Sequence, residues 1–185
     1  MITENIIERV TKFQEVLKAF PEFKYLGDPI LRTPTQPVEL EEGFIIGKKL
    51  GEILINYRKL TGIGRGLAAP QIGIARSVFT TYLDDKIQIY INPKIVSSSN
   101  KSNLYRELCL SSGIMWADVE RPVSIKIEWI NELGVKEDKV FDSFMARLLQ
   151  HEEAHLRGIC NLDQAVAGTI EIQLSDPLQE KIREK

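Results

Sequence analysis

Residues 150–158 read Gln150-His151-Glu152-Glu153-Ala154-His155-Leu156-Arg157-Gly158. Phe144, Leu148, Leu149 and Leu156 recur at helical steps through this region. The spacing predicts a helix over about Ser143–Arg157, ended by Gly158. Residues four apart share a helix face, so His151 and His155 stand together there. Two imidazoles so placed suit a single metal ion. Glu152, one residue on from the first, reaches a water bound to that ion. The chain has 2 histidines, and both fall in this stretch.

A catalytic metal usually takes three protein ligands and keeps one position open for water. Several donors compete for the third place. A continuation of the motif into a third histidine fails, because Asn161 stands there. Glu171 and Glu180 are carboxylates downstream, but neither lies in a strongly periodic helix. Cys160 is five residues past His155, about 140° off its face, and beyond the stop at Gly158. Cys109, in Glu107-Leu108-Cys109-Leu110-Ser111, offers a thiolate, a good donor to Zn²⁺ or Fe²⁺. The ordinary role of a lone cysteine in apolar surroundings is a small buried hydrophobe.

Outward from this helix, the pattern predicts helices over 3–20 and 41–60, with a proline-rich loop at 25–38 between them. Gly62, Gly64 and Gly66 break the second helix. Strand-like runs follow at 77–83, 87–91, 95–97 and 123–130. A turn at Asn131–Gly134 leads to a run at 135–141. A short helix is expected at 176–184. Strands cluster in the middle and helices at the ends without regular alternation. The expected class is α+β, one domain over 23–185 with a helical N-terminal extension at 1–22.

The 185 residues are 43% apolar and 27% charged, ordinary for a globular chain that folds without disulfides. Net charge is 24 − 26 = −2, which argues against stable nucleic-acid or membrane-surface binding. No apolar run approaches the ~20 residues of a membrane span. The N-terminal stretch carries Glu4, Glu8 and Glu15 and lacks a signal-peptide core, so the expected compartment is the cytoplasm.

Three blocks together resemble the peptide deformylase family. They are Gly64-Arg65-Gly66-Leu67-Ala68-Ala69-Pro70-Gln71-Ile72-Gly73, then Glu107-Leu108-Cys109-Leu110-Ser111, then residues 150–158. Asp28-Pro29-Ile30-Leu31-Arg32, Ile91-Asn92-Pro93 and Val119-Glu120-Arg121-Pro122 match more weakly, and the likeness covers about residues 24–165. The resemblance implies an α+β fold with antiparallel strands around a central metal-binding helix. It implies one divalent metal per chain, Fe²⁺ natively, with Zn²⁺ or Ni²⁺ as isolated. Its ligands would be Cys109, His151 and His155. Glu152 would be the general base, with the Gln71 side chain and the Leu110 backbone N–H at the oxyanion. Gly66, Leu108, Trp116 and Leu148 would border the substrate. The implied reaction removes the N-formyl group from the initiator methionine of nascent polypeptides. N-formyl-methionyl peptides are the implied partners, with a transient ribosome contact through the C-terminal tail allowed by the family pattern.

Three positions depart from that pattern. Arg65 replaces a small aliphatic residue, Leu108 replaces Gly, and Ala154 replaces Asp. A glycine beside a ligand serves a positive φ or a close substrate approach, and leucine supplies neither cheaply. The alternative expectation is therefore a deformylase-like metal-binding protein with an altered N-acyl substrate or little activity. Arg121 is expected to pair with Glu107 and fix the cysteine loop.

Overall fold

The computed structural model describes residues 2–172. Three α-helices, α1 (Ile2–Ala19), α2 (Leu40–Thr61) and α3 (Ser143–Leu156), frame two antiparallel sheets. The larger sheet runs β1-β2-β3-β6-β7. Its strands are β1 (Gly66–Ala68), β2 (Val78–Leu83), β3 (Lys86–Ser98), β6 (Ser124–Ile130) and β7 (Lys136–Asp142). The smaller runs β4-β5-β8, with β4 (Ser102–Leu108), β5 (Met115–Pro122) and β8 (Glu171–Ile172). This is the expected α+β class. The expected helix at 176–184 and the tail beyond it lie outside the described residues.

α2 lies on the larger sheet through a row of glycines. A Cβ at Gly43 would stand 2.7 Å from Ile91, one at Gly47 2.3 Å from Ile89, and one at Gly51 3.1 Å from Ile87. Those isoleucines alternate along β3 and so share a sheet face. Their side chains fill the groove that the missing Cβ atoms leave in the helix. Leu50, Leu54 and Tyr57 of α2 join Leu67, Val78 and Ile89 in one apolar core. Val16 of α1 and Phe20 just past its end enter the same core, so the N-terminal helix packs directly on the domain.

The two runs expected at 87–91 and 95–97 are one strand, β3. It bulges at Asn92 and Pro93, where its register with β6 shifts. Asn92 takes φ +49° and its amide holds Val38, donating to the carbonyl at 2.8 Å and accepting from the N–H at 2.9 Å. Asn131–Gly134 forms the expected turn between β6 and β7. Asn131 Oδ1 accepts from the N–H of Leu133 and of Val135.

A second core holds Phe79, Tyr90 and Trp129 against Ala146, Leu149 and Leu156 of α3. α3 thus buries one flank on the large sheet. Its other flank turns Phe144, Leu148 and His151 to a cleft. β4 closes that cleft from the far side, with β5 paired alongside it.

Candidate metal centre

Cys109 follows directly on β4, and His151 and His155 lie one turn apart on α3. Antiparallel pairing of β4 with β5 carries the cysteine to the helix face. One ligand atom from each of the three lies within 4.8 Å of the others. Cys109 Sγ is 3.2 Å from His155 Nε2. Among the described residues this group has three donors, as an open catalytic site requires.

Glu107 organises the cluster from behind. Strand alternation sends its side chain to the opposite face from Leu108. Its carboxylate accepts from Arg121 Nε at 2.6 Å and Nη2 at 2.8 Å, and from Arg147 Nη1 at 2.6 Å. His151 Nδ1 stands 2.9 Å from Oε2, the oxygen that also accepts from Arg121 Nη2. With its proton on Nδ1, His151 donates to Glu107 and keeps the Nε2 lone pair for a metal. The Arg121–Glu107 pair is therefore buried and shapes the site. Arg147 was not singled out in the sequence; a charged residue amid the apolar run of α3 is the only signal it gave.

The electrostatics agree with this geometry. Burial would push the Cys109 thiol up, but His155 and His151 hold it well below its ordinary value. Burial pulls the two imidazoles down, yet the thiolate raises His155 well above its usual range and takes His151, with help from Glu107, to about 9. Ligands of this kind bind a cation in exchange for their protons, so metal affinity here should rise with pH.

Glu152 has the opposite balance. Burial pushes its carboxyl up to about 7, against the pull of His151 and His155. Its Oε2 is buried without a hydrogen-bond partner. The space it occupies exists because residue 66 is glycine: a Cβ there would stand 2.3 Å from Glu152 Oε1. Gln71 is fixed by the Ala68 N–H, which donates to its Oε1 at 2.8 Å. That bond turns Nε2 toward Ser111 Oγ at 3.2 Å and Cys109 Sγ at 3.5 Å.

The cleft encloses about 110 Å³. Gly66, Gln71, Leu108, Leu110, Leu148, His151 and Glu152 all line it. Cys109 and His155 lie just beneath, each 1% exposed. Trp116 does not line it. Trp116 pairs with Leu108 across β4 and β5, and its ring is covered by the Arg106 guanidinium at 5.0 Å. It is a support for the cleft wall, not part of it. Cys160, a rival third donor, is buried on the far side of the ring, 3.8 Å from His155 Nδ1. Glu171 pairs with Arg106 at 2.8 Å. Glu180 lies outside the described residues.

The family model for polypeptide deformylase matches residues 21–169. The chain belongs to the polypeptide deformylase family. A peptide deformylase of Treponema pallidum is 36% identical over 148 residues, covering 77% of this chain and 86% of that one. One from Prochlorococcus marinus is 37% identical over 160 residues, covering 84% and 76%. Among solved structures, a Synechococcus elongatus peptide deformylase in complex with actinonin superposes with a TM-score of 0.70 at 31% identity, covering 79% of each chain. The Thermotoga maritima enzyme gives 0.70 at 30% identity, covering 78% of this chain and 96% of that one.

Membership implies a catalytic divalent metal, and the donor set fits one. A thiolate and two imidazoles suit Fe²⁺ or Zn²⁺ better than harder ions. Two of the departures are explained here. Leu108 ends β4 in extended backbone and is not among the residues at positive φ, so leucine meets no strain there. Ala154 is 1% exposed inside α3, where a carboxylate would need a partner. No described helix is long and apolar enough to cross a membrane.

Proposed function

We propose that this family member hydrolyses the formyl–nitrogen bond of N-formyl-methionyl peptides, with Fe²⁺ as its native ion. Zn²⁺ or Ni²⁺ would support the same fold of the site. Cys109, His151 and His155 would hold the ion. When bound there, a divalent metal lowers the pKa of water from 15.7 toward ~7, giving a strong nucleophile at neutral pH.

The observation that carries this reading is the buried, unpartnered Glu152 oxygen at the floor of the cleft. It would take the proton of the attacking water. The same carboxyl then returns that proton to the departing amine nitrogen as the carbon–nitrogen bond breaks. The products are formate and a free N-terminus. Gln71 Nε2 and the Leu110 N–H would face the carbonyl oxygen as negative charge gathers on it. Leu148, Leu110 and Ile63 supply apolar wall for a methionine side chain.

Leu108 and Arg65 support a narrower peptide preference than the family pattern. Both line the cleft. Arg65 stacks its guanidinium over Phe144 at 5.8 Å, at the cleft wall. Cytoplasmic action on nascent chains, with a transient ribosome contact, completes the proposal.

The test is anaerobic hydrolysis of formyl-Met-Ala-Ser by Fe²⁺-loaded protein, with Glu152→Gln beside it. We expect turnover in the wild type and a 10²–10⁴-fold loss in the variant at equal metal content. No turnover despite one bound metal per chain would refute the reading and direct the search to other N-acyl substrates.

A further inference from the structure

We propose that Phe13 of the N-terminal helix is a positioning residue, holding the turn that carries the thiolate ligand. The inference rests on the reading of Cys109 as a ligand. The match to the family model begins at residue 21, so α1 lies outside it.

Cys109 is followed by a short 3-10 turn, Leu110–Ser112, closed by Gly113 at φ +64°. Phe13 lies against that glycine. A Cβ there would stand 3.0 Å from Phe13 Cζ and 3.3 Å from Cε2. The aromatic ring therefore rests on the bare Cα of the turn. Phe13 also meets Tyr25 edge-on, with centroids 5.3 Å apart.

That second contact leads back to the same site. The Leu26 N–H, one residue from Tyr25, donates to the Ser111 carbonyl at 3.0 Å. The Lys24 N–H donates to the Gln71 carbonyl at 2.8 Å. Leu110 packs on the core that Val16 of α1 and the following Phe20 enter. One ring thus touches the cysteine turn directly. It also braces the 24–26 segment, whose backbone is bonded to Ser111 and Gln71. Shifts of about 1 Å at a catalytic centre cost up to ~10²-fold in rate. A loose turn would move the thiolate and the Leu110 N–H together.

A purely structural role for Phe13 predicts lost stability and nothing else. The experiment compares full-length wild type, Phe13→Ala, Phe13→Leu and Leu17→Ala. Leu17 is on the same helix but 41% exposed. All are loaded with Co²⁺ and measured well below the melting temperature. The readouts are the thiolate-to-cobalt absorption band, the rate of metal release to a chelator, and kcat and KM on formyl-Met-Ala-Ser. For Phe13→Ala we expect a shifted band, about tenfold faster metal release and lower kcat. Phe13→Leu should recover part of each, and Leu17→Ala should match wild type. A wild-type band and release rate in both Phe13 variants would overturn the proposal, as would equal effects in Leu17→Ala. If Phe13→Ala does not fold, Phe13→Leu against Leu17→Ala decides it. Absence of turnover in the wild type would count against the proposed reaction alone, since the band and release rate still test the brace.

Discussion

Glu107→Gln separates the support of the metal centre from its chemistry. The carboxylate receives three bonds from two buried guanidinium groups and stands 2.9 Å from His151 Nδ1. Glutamine offers one acceptor oxygen, no charge, and an NH₂ that must face a guanidinium. Removing one partner of a buried ion pair costs ~3–5 kcal/mol. Arg147 retains the carbonyls of Val119 and Asn103 and the Asn103 side chain as acceptors. Arg121 retains the Gln164 side-chain oxygen at 3.3 Å. The loss should therefore sit near the lower end, about 3 kcal/mol at pH 7. Urea unfolding of the metal-free protein reads it directly. The pH dependence has a definite sign. Burial pushes the Glu107 carboxyl up, but Arg121 and His151 overcome it and hold it well below the usual carboxylate range. A depressed folded pKa gives stability that is complete above the unfolded value of ~4.3 and is lost as pH falls. The gap between wild type and variant should be widest near neutral pH and narrow below pH ~4. Loosening His151 should also weaken metal binding ~10–100-fold in a chelator competition. A gap under ~1 kcal/mol at pH 7 with unchanged metal affinity would refute this account of Glu107.

Other outcomes follow from the same geometry. Gln71→Ala removes one donor at the carbonyl oxygen and should lower kcat by ~10²–10³, with KM nearly unchanged; an intact kcat would remove Gln71 from the oxyanion role. Metal-free Glu152→Gln should be more stable than wild type at high pH. The folded carboxyl is raised to about 7, so wild type loses stability as pH climbs from its unfolded value toward 7. The difference is on the order of 3 kcal/mol, and equal urea midpoints at pH 8 would show that Glu152 is not desolvated as described. Gly47→Ala places a methyl carbon 2.3 Å from Ile89 Cγ2 and should destabilise by ~1–3 kcal/mol, with a less than additive loss in the Gly47→Ala, Ile89→Ala double variant, which removes that γ carbon. Strict additivity of the two changes would deny the helix-to-strand fit.

The parts of this fold that were legible in sequence are those built from apolar periodicity. α2 and α3 follow from their buried stripes, and β2 and β6 from alternation or β-branched runs; β7, charged and largely exposed, follows from the turn at Asn131–Gly134 that precedes it. The glycine row of α2 was not read as a contact surface, because the isoleucines that fill it lie 36 to 48 residues later. The metal triad came from the tight spacing of His151 and His155 and from family likeness at Cys109, not from any local signal at the cysteine.

β4 and β5 were not anticipated, and the reason bears on function. Their buried positions include Arg106, Glu107 and Arg121, which no hydrophobic pattern marks. Arg106 is held by Asp118 at 2.9 Å and Glu171 at 2.8 Å, and Arg121 by Glu107 at 2.6 Å. A sheet stabilised by ion pairs looks like a loop to any reading based on burial of apolar side chains. Yet this sheet presents Cys109 to the helix and fixes His151. Buried charge is costly unless fully paired, and it persists here where it sets the tautomer and the position of metal donors. The same choice that hides the two strands from the sequence gives the site its support. An apolar β4 would be easier to read, and it would leave His151 without the carboxylate that orients it.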